Sequence, residues 1–365
     1  MKSPDPGQPP AHLADCEPDE WASWAASLGL PRMRLAQTAR HYFTHLSRSA
    51  ADMTDLPAAE RQRLTEKLLP DLVRPVTEQL ADSGQTIKTL YRLHDATAVE
   101  TVLMTYPGRA TLCLSSQVGC AMGCPFCATG RLGLKRNLSA AEMVDQVRQA
   151  AAAVRQGVFG TDGPDRLSNV VFMGMGEPLA NYRATVRAVR AIGRPPGSGF
   201  GISLRHLTIS TCGLVPAIER LAGEGLPVRL ALSLHAPDDA LRDQLVPVNR
   251  RFGVARTLAA AYQYYQATGR RVSIEYALMR DINDQAWRAS LLAERLCQYG
   301  TGWVHLNPIP LNPVAGSVWT ASRPKMQDRF VHRLEVSGLA VTLRETRGQE
   351  IDGACGQLAA KEVLN

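Results

Sequence analysis

Within residues 111–137, TLCLSSQVGCAMGCPFCATGRLGLKRN, Cys120, Cys124 and Cys127 form a C-x3-C-x2-C array, with Phe126 just ahead of the last cysteine. Three thiolates on one short, glycine-containing loop can converge on one face of a metal centre, and three leave one iron of a [4Fe-4S] cubane without a protein ligand. That open iron can take a small-molecule ligand. The alternative is a structural zinc site with Cys113 as the fourth ligand, since closed zinc sites take four. Zinc motifs usually pair their cysteines as two separated C-x2-C knuckles, and here there is one. TLCLSS also reads as a strand with Leu112 and Leu114 on one face and Cys113 on the other. Cys113 then need not reach the cysteine loop and calls for another role.

This C-x3-C-x2-C spacing resembles the signature of radical S-adenosylmethionine (SAM) enzymes. A chain of 365 residues with 45% hydrophobic and 21% charged residues can bury one large domain and a small one. No run reaches the roughly 18 apolar residues of a membrane span, and MKSPDPGQPPAHLADCEPDE lacks the apolar stretch of a signal peptide. A cytoplasmic protein is therefore predicted, without membrane contact. With three of the eight cysteines at cluster spacing, metal and redox chemistry explains them better than a disulfide framework. Cys16, Cys212 and Cys297 read as plain thiols.

Charge is unevenly spread. Residues 1–30 set Lys2 against Asp5, Asp15, Glu17, Asp19 and Glu20, and residues 31–105 are nearly balanced, so the net +7 of the chain rests on residues 106–365. A basic catalytic region favours a polyanionic partner, nucleic acid above all.

Five segments are predicted. Residues 1–30, rich in Pro and acids, read as a loose acidic tail. Residues 31–83 read as a small all-helical accessory domain, with Asp55 and Pro57 as helix start signals. Its Arg32, Arg34, Arg40, Arg61 and Arg63 could meet RNA phosphate, although a solvated helix face is the plainer explanation. Residues 84–105 alternate as a β-rich connector. Residues 106–345 alternate strands (ATLCLSS, SNVVFMGMG, RHLTIST, PVRLALSLH, RVSIEYALM, WVHLNPIP) with helices, an α/β pattern of a parallel sheet curled into a partial (β/α)6 barrel. Residues 346–365 form a C-terminal segment around Cys355. Chemistry in such barrels collects at the C-terminal ends of the strands, where the cysteine loop, GMGEP, STCG, SLH and LNPIPLNP fall.

Each of those motifs has a bland counterpart. Gly174, Gly176 and Glu177 alone would be an ordinary turn; beside the cysteine array, Glu177 is a carboxylate placed to accept an ammonium such as that of SAM. His235 alone would be a core histidine. Ser210, Ser233, Leu234, His235 and Asn312 are strand-end groups able to hold a nucleoside. Cys355, between Gly353 and Gly356, could be a harmless buried thiol.

Taken together, RGQEIDGACGQLA around Cys355, ATLCLSSQVGC around Cys113, GMGEP, and VETVLM with Glu100 resemble the radical-SAM ribosomal-RNA adenine C2-methyltransferases, the RlmN family, and their C8-methylating, antibiotic-resistance relatives. The resemblance runs from about Pro31 to Ala360. It implies that Cys120, Cys124 and Cys127 hold a [4Fe-4S] cluster, that Cys355 carries a methyl group, that Cys113 pairs with Cys355 in a transient disulfide, and that Glu100 accepts a proton. It further implies SAM contacts from Gly176, Glu177, Ser210, Ser233, Leu234, His235 and Asn312. The implied substrates are an adenosine at the peptidyl-transferase centre of 23S rRNA, reached before the subunit is fully assembled, and the adenosine 3′ of the anticodon in tRNA. A flavodoxin-type or other electron donor and a monomeric enzyme complete the expectation. C8 methylation, and a radical-SAM enzyme of another purpose that would need neither Cys113 nor Cys355, stay open as alternatives; so does a zinc-holding RNA-binding module.

Overall fold

The computed structural model describes residues 9–47 and 49–360. The first eight residues of the expected tail and the last five of the C-terminal segment lie outside them. Among the described residues eleven strands are formed: β1 Val73–Ala81, β2 Thr86–Leu93, β3 Ala98–Tyr106, β4 Arg109–Cys113, β5 Gln117–Gly119, β6 Leu134–Asn137, β7 Leu167–Phe172, β8 Leu207–Thr211, β9 Arg229–Ser233, β10 Val272–Leu278 and β11 Val304–Pro310. Nine of them make one sheet in the order β1-β2-β3-β4-β7-β8-β9-β10-β11, and β5 pairs with β6 alone.

From β4 to β11 the six strands run parallel, with a helix between successive members, as the predicted (β/α)6 core requires. Burial explains their sequences. All seven residues of β10 are buried, with the helix Asn249–Thr268 packed on the strand. The helix Ala140–Arg155 starts at a capping box. The Ser139 hydroxyl accepts from the Glu142 amide at 3.1 Å, and the Glu142 carboxylate accepts from the Ser139 amide at 2.8 Å. The helices Asn249–Thr268, between β9 and β10, and Pro324–Glu335, after β11, belong to the outer layer.

Three expectations need correction at the N-terminal side. Residues 9–30 are not a loose tail: they include the helix Trp21–Ser27, and Leu13 and Ala14 are fully buried. The acids that read as solvated have partners in the core. Asp15 accepts from the Ala141 amide at 2.9 Å, satisfying the first turn of the Ala140–Arg155 helix, and Glu17 pairs with Arg194 at 2.5 Å. Second, the helical segment ends at Leu68, since β1 already begins at Val73. Third, the connector is no separate element. β1, β2 and β3 form an antiparallel meander that joins the core sheet through β4. β1 escapes sequence detection because it is a mostly exposed edge strand with Pro75 at a register shift. No described helix is long and apolar enough to cross a membrane.

Candidate active site

The cysteine loop is framed by the β5–β6 hairpin. The Cys120 amide donates to the Gly133 carbonyl at 3.0 Å, and Gly119, at φ +78°, lies so close to that carbonyl that a Cβ would sit 1.9 Å from its oxygen. Gly130, in the short helix Ala128–Arg131, has no room either: a Cβ there would sit 2.9 Å from the Cys124 carbonyl oxygen. These glycines close the loop on itself. Gly119→Ala is therefore expected to open the hairpin at a cost on the order of 2 kcal/mol or more. Lower Tm and lower iron content of the purified protein would register it; unchanged values of both would contradict this packing.

Phe126 anchors the loop to the opposite wall. It is buried edge-to-face against His235, ring centroids 5.0 Å apart. His235 accepts from the Ala277 amide through Nδ1 at 3.0 Å, which assigns its proton to Nε2. Burial, and then the charge of Arg242, hold its pKa down at about 3, so the ring is neutral at physiological pH.

Cys120, Cys124, Cys127, Gly176, Glu177, Ser210, Ser233, His235, Asn312 and Cys355 all line one cavity at the C-terminal ends of the strands. The structure thus gathers most of the sequence-predicted site. Leu234 is the exception among the expected SAM contacts. It is fully buried, does not line that cavity, and uses its backbone on Glu275 and Arg242. The glycines of GMGEP also act differently from expectation. A Cβ on Gly174 would meet the Leu114 carbonyl at 2.6 Å, and one on Gly176 (φ +103°) would meet Gln117 at 2.5 Å. They let the end of β7 pack against residues 114–117, which sets Glu177 in place.

The donor set fits the expected cofactors. Burial pushes the Cys124 thiol up, the neighbouring Cys127 and Cys120 sulfurs push it further, and Arg242 pulls it back. Such a set stays ionised only around a cationic metal centre. Among the described residues no three His, Cys, Asp or Glu side chains are gathered as the donors of a single ion. The three thiolates of the loop match the number that a [4Fe-4S] cluster with one open iron takes. Glu177 is buried and accepts from the amides of Cys212 at 2.8 Å and Leu179 at 3.0 Å. Burial raises its pKa, so an ammonium group entering the cavity is a favourable partner for its carboxylate.

Several residues the sequence did not flag complete the site. Cys212, read as a plain thiol, lines the cavity beside Glu177. Arg242, fully buried, donates to the carbonyls of Cys212 at 2.6 Å, Leu234 at 2.9 Å and Ser233 at 3.2 Å. One guanidinium so ties the ends of β8 and β9 behind the cysteine loop. Only the burial of an arginine could have signalled this, and burial is not visible in a sequence.

Cys113 and Cys355 line a second cavity together, with Met173, Asn312 and Arg344. Cys355 is exposed to that space and reaches both cavities. Its loop is tied down on several sides. The Asn312 side chain donates to the Cys355 carbonyl at 3.0 Å, the Ala128 amide to Gly356 at 2.7 Å, and the Thr129 hydroxyl to Leu358 at 2.6 Å. Burial, then the Cys355 sulfur, push the Cys113 thiol up. Enclosure raises the Cys355 pKa as well, and Arg344 opposes it. Asn312, expected to contact SAM, thus also holds the Cys355 loop.

Glu100 is not brought to either of those cavities. Its carboxylate accepts from the amides of Ala359 at 2.8 Å and Ala360 at 3.0 Å and pairs with Lys88 at 3.3 Å, in a separate pocket under the C-terminal segment. Glu275, on β10, does line a cavity with Cys355, and its charge raises the Cys355 pKa.

A family model described as the radical SAM superfamily matches residues 114–292, from the end of β4 to the helix Ala286–Cys297. Fold, cysteine loop and this match define a radical SAM enzyme. The chain is 59% identical over 356 residues to a probable dual-specificity RNA methyltransferase RlmN of Bifidobacterium adolescentis, covering 98% of this chain and 92% of that protein. The same named protein of Rhodococcus erythropolis is 56% identical, covering 98% and 97%. The crystal structure of a radical SAM methyltransferase from Sphaerobacter thermophilus matches with a TM-score of 0.90 at 44% identity, covering 96% of this chain and all of that one. The chain belongs to the RlmN family of dual-specificity RNA methyltransferases.

Proposed function

We propose that this radical SAM RNA methyltransferase methylates C2 of an adenosine in the peptidyl-transferase centre of 23S rRNA, and of the adenosine 3′ of the anticodon in tRNA, through a methyl group carried on Cys355. The observation that carries this reading is the shared cavity of Cys113 and Cys355, opening next to the cavity of Cys120, Cys124 and Cys127. A radical enzyme of another purpose has no use for that pair.

Carbon 2 of adenine lies between two ring nitrogens. It is electron-poor, so ordinary methylation, which needs a nucleophile, fails there. When bound, a [4Fe-4S] cluster and SAM supply the methyl group, the hydrogen-abstracting radical chemistry and the one-electron traffic. Cys120, Cys124 and Cys127 hold the cluster, and Glu177, Ser210, Ser233, His235 and Asn312 surround the SAM position. Gly176 shapes the turn that presents Glu177, and Leu234 supports the wall from behind.

The Cys355 sulfur first takes the methyl group, a displacement suited to a thiolate. After the methyl carbon has lost one hydrogen atom it bonds to C2; the odd electron this leaves on the ring returns to the one-electron carrier that supplied it, and the base is then tethered as a closed-shell thioether. Loss of the C2 proton prepares release. The Cys113 thiolate then attacks the Cys355 sulfur, the sulfur–carbon bond breaks, and its electron pair goes to the carbon, which picks up a proton to complete the methyl group. A Cys113–Cys355 disulfide remains and must be reduced before the next turnover. Glu100 is the proposed proton acceptor; the hydrogen bonds from Ala359 and Ala360 must open for it to reach the base.

Nuclease digestion and chromatography of RNA incubated with enzyme, SAM and a reductant tests the regiochemistry. The expected product is 2-methyladenosine, and exclusive 8-methyladenosine overturns it. Because the target carbon must enter an enclosed site, unstacked RNA is the competent substrate. Protein-free rRNA fragments are expected to be methylated much faster than assembled large subunits, and equal rates would contradict that requirement.

A further inference from the structure

The strands that carry the site turn polar side chains toward the interior. Asn169 stands beside Thr111, Arg229 beside Thr208, and His305 beside Ser273. In a closed barrel of this kind the interior is filled by layers of branched apolar side chains. Here a cavity remains. It continues from the methylation site, sharing Met173 and Glu275 with the cysteine-lined cavity and Arg344 with the Cys113–Cys355 cavity.

Its charge is one-sided. Arg109, Arg229, Arg271 and Arg344 line it, against the single carboxylate of Glu275; His305 also lines it, but burial and then Arg271 and Arg229 lower its pKa, so it adds no charge near neutrality. Glu275 is already engaged by Ser273 at 2.7 Å, Asn307 at 3.0 Å and Arg344 at 3.5 Å. Arg109, Arg229 and Arg271 are exposed and form no ion pair among the described residues. Positive charge is crowded enough to be felt next door. The Arg270 pKa is lowered by burial and then by Arg229 and Arg205, and its Nε is buried with no hydrogen-bond partner. Like charges held together without counter-charge are unfavourable in the free protein. They become favourable when a polyanion supplies the missing charge.

We propose that this cationic cavity binds the backbone phosphates of the RNA strand next to the adenosine presented to Cys355. The proposal rests on RNA being the substrate. The groups run from β4 to β10, four inter-strand spacings of about 4.8 Å each, which is wider than one phosphate ion needs and suits consecutive phosphodiesters. The cavity joins the Cys355 cavity through Met173 and Arg344, while Arg229 and Arg271 stand at the starts of β9 and β10, so those phosphates lie on the strand approaching the reacting base from the N-terminal ends of the strands.

The test uses the full-length, cluster-containing enzyme with Arg229→Gln and Arg271→Gln combined. Affinity for a protein-free rRNA fragment is measured at several salt concentrations, together with kcat and KM. The expected result is a Kd raised roughly tenfold or more and a log–log salt slope reduced by about one unit per arginine. KM should rise with kcat little changed. Methylation of Cys355 by SAM needs no RNA, so it and the iron content should match the wild type. Arg109→Gln, at the far edge of the cavity, should show the same pattern more weakly. Unchanged Kd and slope in both variants overturn the proposal. So does a wild-type enzyme that binds inorganic phosphate in a manner lost in the double variant while RNA affinity stays the same, since the cavity would then serve a free anion. An enzyme that binds RNA through these arginines but methylates none of it would sink the proposed function and leave this subsite standing.

Discussion

Cys113→Ala is expected to react once and to stay covalently joined to its RNA through Cys355. The substitution removes one thiol from the wall of the shared cavity and leaves the cysteine loop, Glu177 and Cys355 in place. Methyl transfer to Cys355 and carbon–carbon bond formation both proceed without Cys113. Release does not, because the thioether opens only when a second thiolate attacks the Cys355 sulfur. Denaturing gel electrophoresis after incubation with SAM, reductant and labelled RNA should give a slow-migrating band that ribonuclease trims. Cys355→Ala should give no such band and no S-methyl group. Removing the buried Cys113 sulfur costs about 1 kcal/mol of packing, too little to unfold the chain, so the adduct is measured on folded protein. Release of methylated RNA at the normal rate by either variant would exclude the two-thiol route.

The second large effect is expected at Cys124. Its thiol lies within the influence of Cys120, Cys127 and the buried Arg242 guanidinium, so Cys124→Ala removes one of the three protein ligands proposed for the cluster. The variant should lose most of its iron, lack visible charge-transfer absorbance and form no 5′-deoxyadenosine. The wild type should be brown and bleach with dithionite. A colourless wild type holding stoichiometric zinc would support the zinc module instead, and a Cys124→Ala protein that keeps four irons would speak against this ligand set.

How much of this was legible in the sequence depended on where each signal's partner lies. The six parallel strands could be read because short strand-like segments alternate with helical periodicity from Ala110 onward. β1 could not, since an exposed edge strand carries no such run. Asp15 and Glu17 looked like tail residues because their partners, the Ala141 amide and Arg194, are far along the chain. The cysteine array was readable from spacing alone, as all three ligands share one loop. Cys212, Arg242, Glu275 and Arg344 were not: each is ordinary in its local sequence, and each acquires its role from its place in the fold, Cys212, Glu275 and Arg344 on a cavity wall and Arg242 on the carbonyls behind it. Glu100 shows the opposite case. Its surrounding motif is recognisable, yet its hydrogen bonds to Ala359 and Ala360 hold it away from the base it is expected to serve.

The fate of a labelled methyl group probes the central claim most directly. With SAM carrying a trideuterated methyl, the group passes intact to Cys355, loses one deuterium before bonding to C2, and gains one ordinary hydrogen when the sulfur–carbon bond breaks. Mass spectrometry of the nucleosides is therefore expected to find 2-methyladenosine retaining two of the three deuteriums. A product retaining all three would mean direct transfer of an intact methyl group, and would contradict a carbon carried on Cys355 and released by Cys113.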